Sequence, residues 1–205
     1  MNNKRIALDI NDVLRDNLGQ WISIYKEFVD GDFDIDANEI KTNDMSKILP
    51  FRSKEEFERF NYMEYAYELY GRAAPKLKPT KIVNWLQIDL REFEQGKMPE
   101  VILVSPMEMG VTIQSTLSFL VAVASRFREI YFPMDSATIW DRCDILITAN
   151  PKFLKNIPNG KTVVKIEMPY NKDIECEHTF SSLEEMIDSR FINKLLSQMD
   201  ENENN

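Results

Sequence analysis

At 205 residues the chain has the length of one domain with room for a small inserted lobe. With 43% hydrophobic and 29% charged residues it holds enough apolar material for a buried core, which excludes a disordered chain. Its net charge of -9 argues against a broad nucleic-acid or anionic-membrane surface, since both need a basic face. Two cysteines, Cys143 and Cys176, and one histidine, His178, lack the spacing of a structural zinc site and fit a reduced, intracellular, soluble protein. Met1 to Arg5 lead straight into an apolar run, so no signal peptide is expected. The longest apolar stretch, Leu117 to Ala124, is interrupted by Ser118 and too short for a bilayer.

Ile6 to Ile10 reads as a first buried strand that delivers Asp9, Asn11 and Asp12 at its carboxyl end. Val13 to Val29 reads as an amphipathic helix with Leu14, Leu18, Trp21, Ile22, Tyr25 and Phe28 near one face, broken by Asp30-Gly31-Asp32. Phe33 to Lys47 is acidic and irregular. Ser53 and Glu56 form a capping box for a helix that carries Phe57, Phe60, Met63, Tyr67 and Tyr70 and stops at Gly71. Residues 35–71 are expected to form a small aromatic-rich helical cap.

Pro75 and Pro79 mark the return to the main body. Thr80 to Phe93 is amphipathic through Ile82, Trp85, Leu86, Leu90 and Phe93, and ends at Gly96 and Pro99. Val101 to Ser105 is the second strand, Pro106 to Gly110 a loop, and Val111 to Phe127 a helix whose Ala122, Ala124 and Ser125 permit close packing. Glu129 to Phe132, Asp144 to Thr148 and Lys161 to Glu167 read as further strands. A helical turn starts at Asn150-Pro151, and Ser181 to Leu196 is mostly helical. Strands alternating with helices predict an α/β fold, a three-layer, Rossmann-like parallel sheet with a small helical cap insertion. Residues 1–34 and 72–199 make the core, 35–71 the cap, and 200–205 a polar, frayed tail. The glycine patterns of dinucleotide and P-loop sites are absent.

Leu8-Asp9-Ile10-Asn11-Asp12-Val13-Leu14 resembles the first motif of the haloacid dehalogenase (HAD)-like superfamily, a strand ending in Asp-x-Asp-x-[Thr/Val]. The strand ending in Ser105 resembles the second motif, and Asp144 to Pro151 stands where the acidic fourth motif belongs. Pro169-Tyr170-Asn171 after a later strand is similar to the small 5′-deoxyribonucleotidase branch. This resemblance implies a nucleophile at Asp9, a general acid/base at position 11, a phosphate-holding hydroxyl at Ser105, a charge-neutralising lysine, and an acidic pair that holds Mg²⁺. Attack by a carboxylate on a phosphate dianion needs that metal and that cation to offset repulsion.

The chain departs from this pattern at several of these positions. Asn11 cannot shuttle a proton, and neighbouring Asp12 points elsewhere in strand geometry. No lysine lies between Ser105 and Asn150; the cations there are Arg126, Arg128 and Arg142, with Lys152 just beyond. Thr148 and Ala149 occupy the expected acidic pair. Asp144 begins its strand, at about 3.3 Å per residue from the end where a metal would sit. Asn150 keeps an oxygen without a charge and suits helix capping before Pro151. The expectation is therefore a non-catalytic HAD-like protein with a vestigial Asp9, Asn11 and Ser105, and ligand contacts from Asp9, Asp12, Ser105 and Asn150 if a ligand binds. It binds no metal or cofactor and contacts neither nucleic acid nor membrane. It works through protein partners or as a homo-oligomer, as a subunit of a larger assembly such as a bacteriophage virion. The alternatives are a Mg²⁺-dependent phosphatase or 5′-deoxyribonucleotidase with an altered site, and a nucleotide-binding regulatory module.

Overall fold

A computed structural model describes residues 4–85, 99–123 and 129–203. Six strands form one all-parallel sheet: β1 Arg5–Asp9, β2 Glu100–Val104, β3 Ile130–Tyr131, β4 Ile145–Thr148, β5 Thr162–Ile166 and β6 His178–Phe180. Their order is β3-β2-β1-β4-β5-β6. The chain thus runs outward from β1 to β3, then returns to the other side of β1 with β4. Such a reversal opens a crevice beyond the carboxyl ends of β1 and β4.

Alternation along the strands sorts the core into two layers. Ile6, Leu8, Leu103, Ile145, Ile147, Val164 and Ile166 face one way. They are covered by α1 Asn17–Phe28, α4 Pro79–Asn84, α5 Val111–Ala122, α7 Leu183–Asp188 and α8 Phe191–Glu203. Ala7, Ile102, Val104, Leu146 and Val163 face the other way, beneath Ile139, Trp140, Cys143, Phe153 and Leu154. The last two belong to α6 Pro151–Lys155. The three-layer α/β expectation holds.

Several expected boundaries shift for local reasons. Helix α1 starts at Asn17, not Val13, because Asp16 caps it and residues 10–15 form a tight turn. In that turn Leu14 N and Arg15 N both donate to Ile10 O, and Asp12 takes a φ of 59°. The segment from Ser181 is split by Arg190 at φ 55° into α7 and α8, preceded by the unanticipated short strand β6. The tail expected to fray continues α8 to Glu203. Of the Thr80 to Phe93 helix, Leu86, Leu90, Phe93 and the stop at Gly96 lie outside the described residues; so do Ala124, Ser125, Arg126, Phe127 and Arg128. Among the described residues no helix is long and apolar enough to cross a membrane.

The cap lies in the connection from β1 to β2. It contains α2 Met45–Ile48, α3 Lys54–Arg59 and two π-helical turns, Phe60–Glu64 and Tyr67–Gly71, in place of one continuous helix to Gly71. Ser53 Oγ accepts from Glu56 N at 3.2 Å as expected, while the Glu56 carboxylate reaches back to Arg52 N. Most cap aromatics are absorbed by packing. The Trp21 ring stacks on Phe57 at 5.6 Å, and Tyr25 meets Phe33 and Phe51, each at 5.1 Å. Such pairs add about 0.5–1.5 kcal/mol beyond area burial. Met63 and Tyr67 stay exposed at 74% and 48%. Gly71 permits close approach to α5, since a Cβ there would stand 2.7 Å from the Tyr67 ring and 3.3 Å from Ser115 O.

Candidate functional site

The register pairs Asp9 with Val104 and Leu8 with Ile147. Asp9, Ser105 and Thr148 therefore stand at the carboxyl ends of three adjacent strands. Asp9 is buried, accepting from Thr148 Oγ1 at 2.7 Å and from Asn11 N at 3.1 Å. Burial pushes its carboxyl up to about 7, against the pull of those two donors. Both oxygens are thereby held by the protein itself.

Asn11 faces the neighbouring strand. Its Nδ2 donates to Ser105 Oγ at 3.1 Å, and its Oδ1 accepts from Arg15 Nε at 3.0 Å and from Arg15 Nη2. Arg15 is wholly buried. Its Nη1 donates to Tyr70 O at 3.0 Å and Thr116 Oγ1 at 2.6 Å, and its Nη2 also pairs with Glu108 Oε1. These contacts use the five N–H groups that a guanidinium offers. The guanidinium carbon lies 4.8 Å from the Tyr70 ring centroid, a desolvated cation–π contact.

Glu108 completes the cluster. Ser105 Oγ donates to its Oε1 and Thr116 Oγ1 to its Oε2. A guanidinium and two hydroxyls thus converge on one carboxylate. This is the donor set of an oxyanion cradle, and a side chain of the same protein fills it. Sequence reading missed Arg15, Thr116 and Glu108. Its sequence setting gave no distinct signal: Arg15 follows Val13-Leu14 and precedes Asp16-Asn17, as a polar-face residue of the expected amphipathic helix would. The β1–α1 turn places a buried cation, Arg15, ahead of the Ser105 to Asn150 segment in which a lysine was expected.

Asp12 is brought to the same end of the sheet, but its oxygens serve the turn. Its Oδ1 accepts from Leu18 N at 2.8 Å and its Oδ2 from Tyr170 Oη at 2.7 Å. Burial raises its pKa, and Leu18 N and Tyr170 pull the other way. The Pro-Tyr-Asn segment forms a clasp, since Asn171 Nδ2 donates to Ala149 O at 2.8 Å and Ile166 O at 3.0 Å. Asn150 caps α6 by accepting from Lys152 N at 3.0 Å. Asp144 lies at the opposite edge, bound to Arg5 N at 3.0 Å and Lys161 Nζ at 3.2 Å. Arg142 is at the surface over Tyr131. The buried Lys165 donates to Ile174 O at 2.8 Å.

Between cap and sheet edge lies a cavity of ≈ 510 Å³, lined by Asp9, Asn11, Asp12 and Glu108 from the core and by Asp44, Lys47, Asn61 and Tyr62 from the cap, with Asn150 and Lys152 at its wall. Two further lining residues, Asn17 and Trp21, carry buried polar atoms (Oδ1 and Nε1) without a hydrogen-bond partner among the described residues. Beside Asp9, at the strand end where the resemblance implies an acidic pair for Mg²⁺, stand Thr148 and Ala149, and the Thr148 hydroxyl donates to Asp9. Among the described residues no group of three His, Cys, Asp or Glu is placed to hold a metal. Compared with known proteins, the chain matches no protein-family model and no curated protein.

Proposed function

We propose that this chain is a non-catalytic protein on a HAD-like fold, acting through its surfaces as a subunit of a larger assembly. The HAD-like reading draws support from Asp9 and Ser105 at the ends of adjacent strands and from a cap inserted in the β1–β2 connection. One observation carries the non-catalytic reading: the Glu108 carboxylate fills the cradle of Arg15, Ser105 and Thr116, where a phosphoryl group attacked by Asp9 would need its own oxygens held. A bound carboxylate there opposes a dianionic substrate by charge as well as by volume. Asn11 adds to this, since it is engaged by Ser105 and Arg15 and has no proton to give.

A phosphohydrolase with an altered site is the second reading. It is favoured by Arg15, a cation relocated to the first loop, and by an Asp9 whose carboxyl is pushed up to about 7. The deciding experiment is Mg²⁺-dependent hydrolysis of p-nitrophenyl phosphate and deoxynucleoside monophosphates by wild type and Asp9→Asn. The expected result is background turnover in both. Turnover in wild type that Asp9→Asn abolishes would overturn the non-catalytic reading.

A further inference from the structure

The turn that enters β5 holds a reactive pair that the fold leaves unrestrained. Pro158-Asn159-Gly160-Lys161 is closed by Lys161 N donating to Pro158 O at 3.1 Å. Gly160 takes a φ of 76°, a conformation that glycine adopts without strain. Asn159 and Gly160 are both exposed, and a Cβ added at Gly160 would meet nothing within 4 Å. Neither the Asn159 amide nor Gly160 N makes a hydrogen bond among the described residues. The turn leads into β5, on the other side of β1 from β2 and β3.

This is the only Asn-Gly pair in the chain. Asparagines elsewhere are restrained. The Asn11 amide is held by Ser105 and Arg15, and the next backbone nitrogen, Asp12 N, donates to Arg15 O at 2.9 Å. Asn171 is wholly buried, with its amide donating to Ala149 O and Ile166 O. At Asn159 the side-chain carbonyl carbon is open to attack, and the nitrogen that would attack it belongs to a residue with no side chain to crowd the approach.

We propose that Asn159 is a site of spontaneous deamidation in the folded protein, with water as the only co-reactant. Gly160 N forms a bond to Asn159 Cγ, and the bond from Cγ to Nδ2 breaks. The proton lost by Gly160 N leaves with that amide nitrogen as ammonia, and a cyclic imide remains. Water then opens the ring. Cleavage between Cγ and Gly160 N gives aspartate; cleavage between the Asn159 main-chain carbonyl carbon and Gly160 N gives isoaspartate, with the chain running through Cγ. Either product adds one carboxylate to a chain whose net charge is -9. The new carboxylate stands two residues from Lys161, whose ammonium pairs with Asp144 at 3.2 Å. That pair is part-exposed, so a second anion near it costs the fold little.

The proposal is independent of whether Asp9 supports hydrolysis. Its test is incubation of the folded full chain at mildly alkaline pH, followed by digestion with trypsin, which cuts after Lys155 and Lys161 and releases residues 156–161 for mass spectrometry. Asn159 should convert to a mixture of aspartate and isoaspartate. Because nothing in the fold restrains the turn, its rate should lie within about 5-fold of that of a synthetic peptide of residues 154–164 under the same conditions. Asn159→Gln should leave the fragment unchanged, since attack on the longer side chain needs a larger ring. Conversion in the folded chain more than about 5-fold slower than in the peptide would overturn the proposal, by showing that the fold protects the turn. Equal conversion at Asn156, which Ile157 follows in the same fragment, would overturn it as well.

Discussion

The Arg15 guanidinium and the Glu108 carboxylate, 93 positions apart in sequence, form an ion pair in which neither side chain is more than 3% exposed. Burying two charges is costly, and here hydrogen bonds to Asn11, Ser105, Thr116 and Tyr70 O offset that cost. Removing one partner leaves the other charged and unpaired. Glu108→Ala should destabilise the fold by about 3–5 kcal/mol in chemical denaturation. The paired substitution Arg15→Met with Glu108→Leu should cost clearly less than the two single changes added together. Added formate, a small carboxylate, should raise the Tm of Glu108→Ala and leave wild type unmoved. Additive single costs and no response to formate would mean that the cradle does not hold its anion as described.

The burial of Asp9 predicts an unusual pH dependence. Its folded pKa, about 7, lies above the ordinary carboxylate value, so between the two the folded state keeps a proton that the unfolded state has lost. Stability therefore falls as pH rises through that window and levels off above about 7. Asp9→Asn removes the ionisation while keeping the shape. Its stability advantage over wild type should be greater at about pH 8 than at about pH 5, by on the order of 2 kcal/mol. Asp12 is shifted in the same direction by burial and stands in both proteins, and its charge is one of the causes that raise Asp9, so the comparison reads Asp9 together with that coupling. An advantage that does not grow with pH would place Asp9 in a more solvated setting.

Much of this arrangement was legible in the sequence. The stretches at Ile6, Val101, Glu129, Asp144 and Lys161 give five of the six strands, because buried parallel strands need near-continuous apolar runs. Asn150-Pro151 marked a capped helix start because both residues act locally. What was illegible depends on distant partners. The start of α1 was misplaced because Val13 and Leu14 have helical spacing yet are buried in a turn fixed by Asp12 and its clasp to Tyr170. The role of Glu108 depends on Arg15 and Thr116 arriving from two other segments, and no local pattern announces that. The cap helix was expected to run unbroken to Gly71 since its aromatics fall at helical spacing; the structure instead follows α3 with π-helical turns at Phe60–Glu64 and Tyr67–Gly71.

Thr148 tunes Asp9 without being ionisable. Its hydroxyl donates to Asp9 Oδ2 at 2.7 Å, favouring the carboxylate, and its oxygen accepts from Asn150 N at 3.0 Å. Thr148→Val keeps the volume and removes both bonds. Since the hydroxyl opposes the upward push of burial, the Asp9 pKa should move higher still, readable by carboxyl-resolved NMR titration. A loss of stability of about 1–3 kcal/mol should accompany it. An unchanged or lower Asp9 pKa would mean that Thr148 is not its donor.

Asp12 separates backbone strain from side-chain bonding. At φ 59° a β-carbon is strained by about 1–2 kcal/mol, which glycine escapes. Both carboxylate oxygens nevertheless hold the turn, one through Leu18 N and one through Tyr170 Oη. Asp12→Ala loses the bonds and keeps the strain; Asp12→Gly loses the bonds and relieves it. Both should be less stable than wild type, with Gly retaining about 1 kcal/mol more than Ala in urea denaturation. Tyr170→Phe removes one of the two bonds and should fall between Asp12→Ala and wild type, since Leu18 N still anchors the other oxygen. If Asp12→Gly proved more stable than wild type, the carboxylate would not be holding the turn, and the clasp between the first loop and the Pro-Tyr-Asn segment would have to be assigned to backbone contacts alone.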